Sequence, residues 1–287
     1  MEAEVTNSNA FLLILDTNLK YQSLSLLLNL KETQLSASTE VIVLYVYESL
    51  EDQVEYGNSI QKIEEFSKQT IKQDGLKVNV KFISKRESDQ LTENFNMREE
   101  SYITSTTFLR LFLSRWIPQN FKKILYLDID ILICEDLNLL FETNFETAIC
   151  AVKGASDSLS RGEHLPNFNS MYFNAGVLLV DIDKWLNSNA EENILKIGRG
   201  GTYPLMDQDI LNLVFKDSWK ELETKYNFQQ ISGHSDSIYG NFQSPSIVHF
   251  VGPKPWRETR LSSYVIRYRL QFNKIRKLFP ALRDYEE

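Results

Sequence analysis

The chain has 287 residues, 43% of them hydrophobic, and a formal charge of −8, which suits one large α/β domain with an appendage or two small domains. Its first ten residues are polar, the apolar run 10–15 is too short for a leader, no run reaches the about 20 residues of a membrane-spanning helix, and Cys134 and Cys150 stand in no metal or redox spacing, so a cytoplasmic protein with two free thiols is expected. Residues 257–283 carry eight Lys or Arg against one acid, a net +7 that leaves −15 for the rest; an acidic body argues against nucleic-acid binding, and a basic end fits an anionic surface.

Segments 10–15 and 40–46 read as buried strands, with helical spacing over 19–30 between them, a β-α-β opening. A helix over 54–72 and a strand over 76–83 follow, then a polar stretch, 84–101, read as a loop. An amphipathic helix over 104–116 is closed by Pro118. Strands are predicted at 122–127, 148–152 and 171–180, and a helix with an acidic first turn at 207–215. The stretch 153–170, rich in Gly, Ser, Asn and charge, reads as a mobile loop. This alternation implies a mostly parallel sheet covered on both faces.

At the C-terminal end, Leu261, Tyr264, Val265, Tyr268, Phe272, Ile275 and Phe279 form one helical stripe. Arg260, Arg267 and Lys274 border one flank of it, and Arg269, Arg276 and Arg283 the other. An apolar face edged with cations suits either an anionic membrane interface or docking on the chain's own domain.

The chemistry concentrates in Lys-Lys-Ile-Leu-Tyr-Leu-Asp-Ile-Asp-Ile-Leu-Ile, residues 122–133. Asp128 and Asp130 interrupt an apolar run, and carboxylates at the end of a buried strand need a countercharge. A divalent cation supplies one, and open α/β sheets bind ligands at that end of their strands. Failing that, Asp128 caps a turn and Asp130 faces solvent. His249, one of three histidines, follows an apolar strand and precedes Gly252-Pro-Lys254. A neutral imidazole beside two carboxylates favours Mn²⁺ or Mg²⁺ over zinc, and Lys254 would add a cation that helps neutralise a diphosphate. Taken singly, a histidine that follows a strand is more often structural than ligating. Asp181 and Asp183, a second Asp-x-Asp, read as the start of a helix around Trp185.

Tyr126-Leu-Asp-Ile-Asp, Phe173-Asn-Ala-Gly-Val-Leu-Leu-Val-Asp181, Asp207-Gln-Asp-Ile-Leu-Asn212 and His249-x-x-Gly-x-Lys-Pro-Trp256, in that order, resemble glycosyltransferase family 8 over residues 10–256. The resemblance implies a Rossmann-like nucleotide-diphosphate-sugar domain of the A type over 1–256, with 257–287 as a basic helical tail. It implies Mn²⁺ (or Mg²⁺), a UDP-galactose or UDP-glucose donor, a carbohydrate-bearing acceptor and retention of configuration. By position, Asp128, Asp130 and His249 would hold the metal, and Asp16 and Asn18 would meet the uridine. Arg110 would bind donor-sugar hydroxyls, and Asn174, Ala175 and Asp207 would line the sugar pocket. Ile129, Gly252 and Lys254 complete the donor site, and Gln208 and Asp209 join Arg110 as the catalytic set. The family's Asp-Asp-Asn-Tyr is Asp16-Thr17-Asn18-Leu19 here, so Tyr21 is the ring left to stack on uracil. Two rival readings are an Asp-x-Asp phosphohydrolase and a nucleotide-sugar binder without catalysis. The cytoplasm, or the inner face of the membrane, is the expected location.

Overall fold

The computed structural model describes residues 8–34, 40–70, 77–93, 95, 104–118, 120–230, 244–259 and 261–280. Lys72, Leu76, Arg260, Arg283 and much of 84–101 lie outside the described residues.

The chain opens β1 (Ser8–Asp16), α1 (Lys20–Thr33), β2 (Glu40–Tyr47), α2 (Leu50–Thr70), β3 (Lys77–Ser84) and α3 (Lys85–Thr92). A 3₁₀ segment (Ser105–Phe112) and the single turn α4 (Leu113–Trp116) lead into β4 (Phe121–Leu127) and β5 (Ile131–Ile133). Next come α5 (Asn138–Phe141), β6 (Ile149–Lys153), α6 (Asp157–Ser160) and β7 (Phe173–Asp181). Then follow α7 (Ile182–Asn187), α8 (Ala190–Gly200), α9 (Met206–Val214) and β8 (Trp219–Glu221). Last are β9 (Phe228–Gln229), β10 (Ile247–His249) and α10 (Ser263–Leu278).

Seven strands form the central sheet in the order β3-β2-β1-β4-β7-β6-β8. Four of its six pairings are parallel; β7 runs antiparallel to both β4 and β6. Alternate residues of β1 explain its unbroken apolar run. Ala10, Leu12 and Ile14 enter one cluster, with Phe108, Ile194 and Ile210. Phe11, Leu13 and Leu15 enter the other, with Leu24, Tyr56 and Ile275. A strand covered on both faces has no polar side to show. A small sheet, β5-β10-β9, stands beside the large one.

Two expectations change. Lys85–Thr92 is a helix, capped by Ser84, whose side chain accepts from the Glu87 N–H; it buries Ser88 and Thr92, so no apolar period announces it. The 104–116 segment is mainly 3₁₀, and its amphipathic pattern is buried almost throughout. The stretch 153–170 has an apolar anchor, with Leu165 and Phe168 packed on Tyr172.

The tail stripe is committed to the body. Val265, Tyr268 and Ile275 are buried, Tyr264, Phe272 and Phe279 are partly covered, and Leu261 is exposed. Arg269 donates to the Pro255 and Glu258 carbonyls, and Lys274 meets Glu32 at 2.7 Å. Ile266 and Leu270 face outward. No helix among the described residues is long and apolar enough to cross a membrane.

Candidate active site

Asp128 and Asp130 follow β4, and β5 begins at Ile131. Opposite Ile131 in the antiparallel β5–β10 ladder lies His249, and the Phe250 N–H donates to the Asp130 carbonyl at 3.0 Å. The small sheet thus draws together side chains about 120 positions apart. His249 Nε2 lies 3.4 Å from Asp130 Oδ1 and 3.7 Å from Asp128 Oδ2. One ligand atom from each of the three falls within 4.8 Å of the others. Asp130 and His249 are buried, and Asp128 is partly open. Lys254 pairs with Asp130. Burial alone would push Asp130 up, but His249 and Lys254 hold it well below the usual carboxylate range.

Hydrogen-bond logic fixes the His249 tautomer. The Gly176 N–H can only donate, and its acceptor is Asn174 Oδ1 at 3.0 Å. Asn227 Nδ2 donates to the same oxygen at 2.9 Å. Asn227 therefore turns Oδ1 toward His249 Nδ1, 3.0 Å away, so that nitrogen carries the proton. Nε2 is the nitrogen that faces the two carboxylates, where a bound cation would take its lone pair. Such a donor set, two carboxylates and one imidazole nitrogen held by an amide, fits a divalent cation. Gly176 leaves the room: a Cβ there would come 2.1 Å from His249 Cε1 and 2.8 Å from Asp128 Oδ2.

A register irregularity between β6 and β7 makes this possible. Ala151 pairs with Leu178 and Val152 with Asn174, so 175–177 have no partner on β6. The freed Ala175 and Gly176 N–H groups turn to side chains instead.

Gln208 receives the Ala175 N–H at 2.9 Å and Asn174 Nδ2 at 3.2 Å on Oε1, and donates from Nε2 to the Tyr172 hydroxyl at 3.1 Å. It sits at the start of α9, just after Met206, whose φ of +48° is rare outside glycine. Asp209 is fully buried beneath it, accepting from Tyr172 at 2.5 Å and the Leu205 N–H at 2.7 Å, with His164 Nε2 at 2.7 Å.

Arg110 is buried, and its Nε and Nη1 are engaged with protein groups. Nε pairs with Asp207, and Nη1 reaches Asp128 Oδ1 at 3.1 Å and the Ala175 carbonyl at 3.0 Å. Tyr126, two residues before Asp128 on the same strand face, donates to it at 2.5 Å. Burial works against the Arg110 charge, but Asp207, Tyr126 and Asp128 outweigh it and raise the guanidinium above its ordinary value.

Asp16 ends β1, accepting from the Asn18 N–H at 3.1 Å and from Thr104 at 3.0 Å; Asn18 is exposed. The Ile129 side chain is buried in the core, so only its backbone can face a ligand. Gly252, at φ +116°, makes a turn that a side chain would strain. Asp181 caps α7 through the Lys184 N–H at 3.1 Å, as its sequence context suggests. Tyr21 is half-buried, and its ring meets Phe279 at a tilt with centroids 6.2 Å apart.

Sequence reasoning missed Asn227, Tyr126, His164 and Tyr172. Tyr126 carried a signal, its i, i+2 spacing to Asp128. The other three act across long loops and carried none.

The arrangement places acids, a histidine and a lysine at the strand ends of a doubly covered α/β sheet, as in proteins that bind nucleotide-linked ligands. The sequence profile described as Glycosyl transferase family 8 matches residues 24–260. The chain belongs to that family. Glycosyltransferase GlyB of Streptococcus pneumoniae is 30% identical over 62% of this chain and 43% of its own length. General stress protein A of Bacillus subtilis is 28% identical over 59% of this chain and 65% of its length. The lipopolysaccharide 1,2-glucosyltransferase of Escherichia coli is 27% identical over 57% and 52%. These matches span less than two thirds of each relative. Among solved structures, galactosyltransferase LgtC, in complex with donor and acceptor sugar analogs, superposes with a TM-score of 0.70 at 20% identity, covering 93% of this chain and 95% of that one. The fold is the A-type glycosyltransferase fold.

Proposed function

We propose that the chain transfers a hexose, galactose or glucose, from a UDP-sugar to a hydroxyl of a glycan, lipid-linked glycan or glycoprotein, with retention of configuration. The carrying observation is the convergence of Asp128, Asp130 and His249, with Nε2 of the imidazole aimed at the two carboxylates. These three would hold Mn²⁺ or Mg²⁺, which supplies electrostatic stabilisation of the departing diphosphate. Lys254 adds positive charge on the same side. Asn174, Ala175, Asp207 and Arg110 form the wall proposed for the donor sugar, with Asp16, Asn18, Ile129 and Gly252 in the remainder of the donor site.

Retention needs either two inversions or attack on the leaving-group face. Both lone pairs of Gln208 Oε1 are engaged, and a neutral amide is a weak nucleophile. Asp209 lies buried behind it with donors on both oxygens. These facts favour front-face attack, with the acceptor proton passing to a leaving diphosphate oxygen. Gln208 then contributes through its remaining Nε2–H. The phosphohydrolase alternative would need Asp128 to attack through Oδ2, since Tyr126 and Arg110 hold its Oδ1.

The proposed place of action is the cytoplasm, at the inner face of the membrane. Two free cysteines support the compartment. The outward Ile266 and Leu270 of α10, beside the exposed Arg267 and Lys277, support the surface.

A donor panel with Mn²⁺ tests the reading. UDP-galactose or UDP-glucose is consumed with release of UDP, and Asp130→Asn removes the turnover. Phosphate release from generic monoesters instead favours the phosphohydrolase, and UDP binding without sugar loss favours the non-catalytic binder.

A further inference from the structure

We propose that His164 is a positioning residue for sugar transfer, acting through Asp209 and Tyr172 on the Gln208 amide; the assignment rests on the hexosyltransferase reading above.

Gln208 has four hydrogen-bonding positions. Ala175 and Asn174 take the two on Oε1, and Tyr172 takes one Nε2–H. A single N–H remains on this half-buried side chain, and its direction depends on the other three. The Tyr172 bond is the conditional one. A hydroxyl can face Gln208 with its oxygen or with its hydrogen, and only the oxygen suits Nε2. Asp209 decides this by drawing the Tyr172 hydrogen to Oδ1.

His164 in turn decides how Asp209 is served. The Asp209 carboxyl is fully buried, and such a group needs donors. Tyr172 and the Leu205 N–H provide two, and with both oxygens already accepting, His164 provides the third from Nε2. Its ring also stands edge-on to Tyr172, with centroids 5.0 Å apart. Removing the imidazole leaves the carboxyl one donor short. Rotation of the Asp209 carboxyl toward another donor makes up the shortfall, and that frees the Tyr172 hydrogen to turn toward Gln208.

His164 belongs to neither β7 nor α9. It lies in the stretch between β6 and β7, where Leu165 and Phe168 anchor it on Tyr172. The relay therefore makes the orientation of Gln208 depend on whether that stretch is seated.

The test uses the full chain and the variants His164→Leu, His164→Gln, Tyr172→Phe and the Leu/Phe double variant. The Gln retains an N–H donor. The first readout is hydrogen exchange of the Gln208 side-chain amide by ¹⁵N NMR, with the signal assigned by its loss in Gln208→Glu. His164→Leu and Tyr172→Phe should exchange about tenfold faster than wild type, the equivalent of one lost hydrogen bond, and His164→Gln should stay near wild type. The second readout is transfer kinetics. His164→Leu should lower kcat about tenfold with donor KM nearly unchanged, His164→Gln should restore it, and the double variant should lose no more than Tyr172→Phe alone.

Unchanged amide exchange in His164→Leu overturns the proposal. So do additive or greater losses in the double variant, which mean that His164 only pins its own loop. A wild type that turns over no UDP-hexose defeats the transfer reading instead, and amide exchange still decides the role of His164.

Discussion

Asn227 decides that Nδ1 of His249 carries a proton. The decision starts from a backbone N–H, that of Gly176, which cannot reverse its polarity. Asn227→Ala should therefore lower Mn²⁺ affinity about 10–100-fold, the usual cost of losing an outer partner of a ligating histidine; titration calorimetry on the folded variant measures it, and an unchanged Kd contradicts the tautomer argument. Gly176→Ala should abolish Mn²⁺ binding in the same assay, because the added methyl strikes His249 and Asp128. Asp128, Asp130 and His249 were legible in the sequence because charge inside an apolar run is conspicuous. Asn227 was not, because a polar residue before a short strand has no mark until β9 and β10 pair and set it beside His249.

Helix α10 is part of the core. Ile275 is fully buried in the same cluster as Phe11 of β1, whereas Leu270 is 61% exposed. Ile275→Ala should cost about 2–5 kcal/mol, as for other large-to-small changes in a packed interior, and Leu270→Ala should lie within about 0.5 kcal/mol of wild type. Urea unfolding of the two variants separates them; equal stabilities would mean that α10 is not docked in solution. Its helical period was legible, but amphipathicity names a face without naming what covers it. The β1–α1–β2 opening was legible through sustained apolar runs. Helix α3 escaped because it buries hydroxyls, and the β6–β7 irregularity because a register shift has no compositional signature.

Charge is distributed unevenly over the molecule, with +7 across 257–283 and −15 elsewhere. If the outward face of α10 meets an anionic bilayer, its contacts are Ile266 and Leu270, since most of the apolar stripe is already used. Truncation would remove a core residue with the helix, so the informative variant is Ile266→Ser with Leu270→Ser. Co-sedimentation with phosphatidylserine vesicles should be lost in this variant and weakened in wild type as salt rises; equal binding by both proteins places the contact elsewhere. The doubly covered sheet follows from composition and strand–helix alternation. The reversal of β7 between β4 and β6 does not, because an apolar strand reads alike in either direction.

Asn174 belongs to two circuits at once. Its oxygen serves Gly176 and Asn227, and its nitrogen serves Gln208. Rotating that single amide by half a turn would set oxygen against oxygen on one side and N–H against N–H on the other. The imidazole and the glutamine would lose their bearings together, so this one side chain ties the proposed grip on a cation to the proposed aim at the sugar.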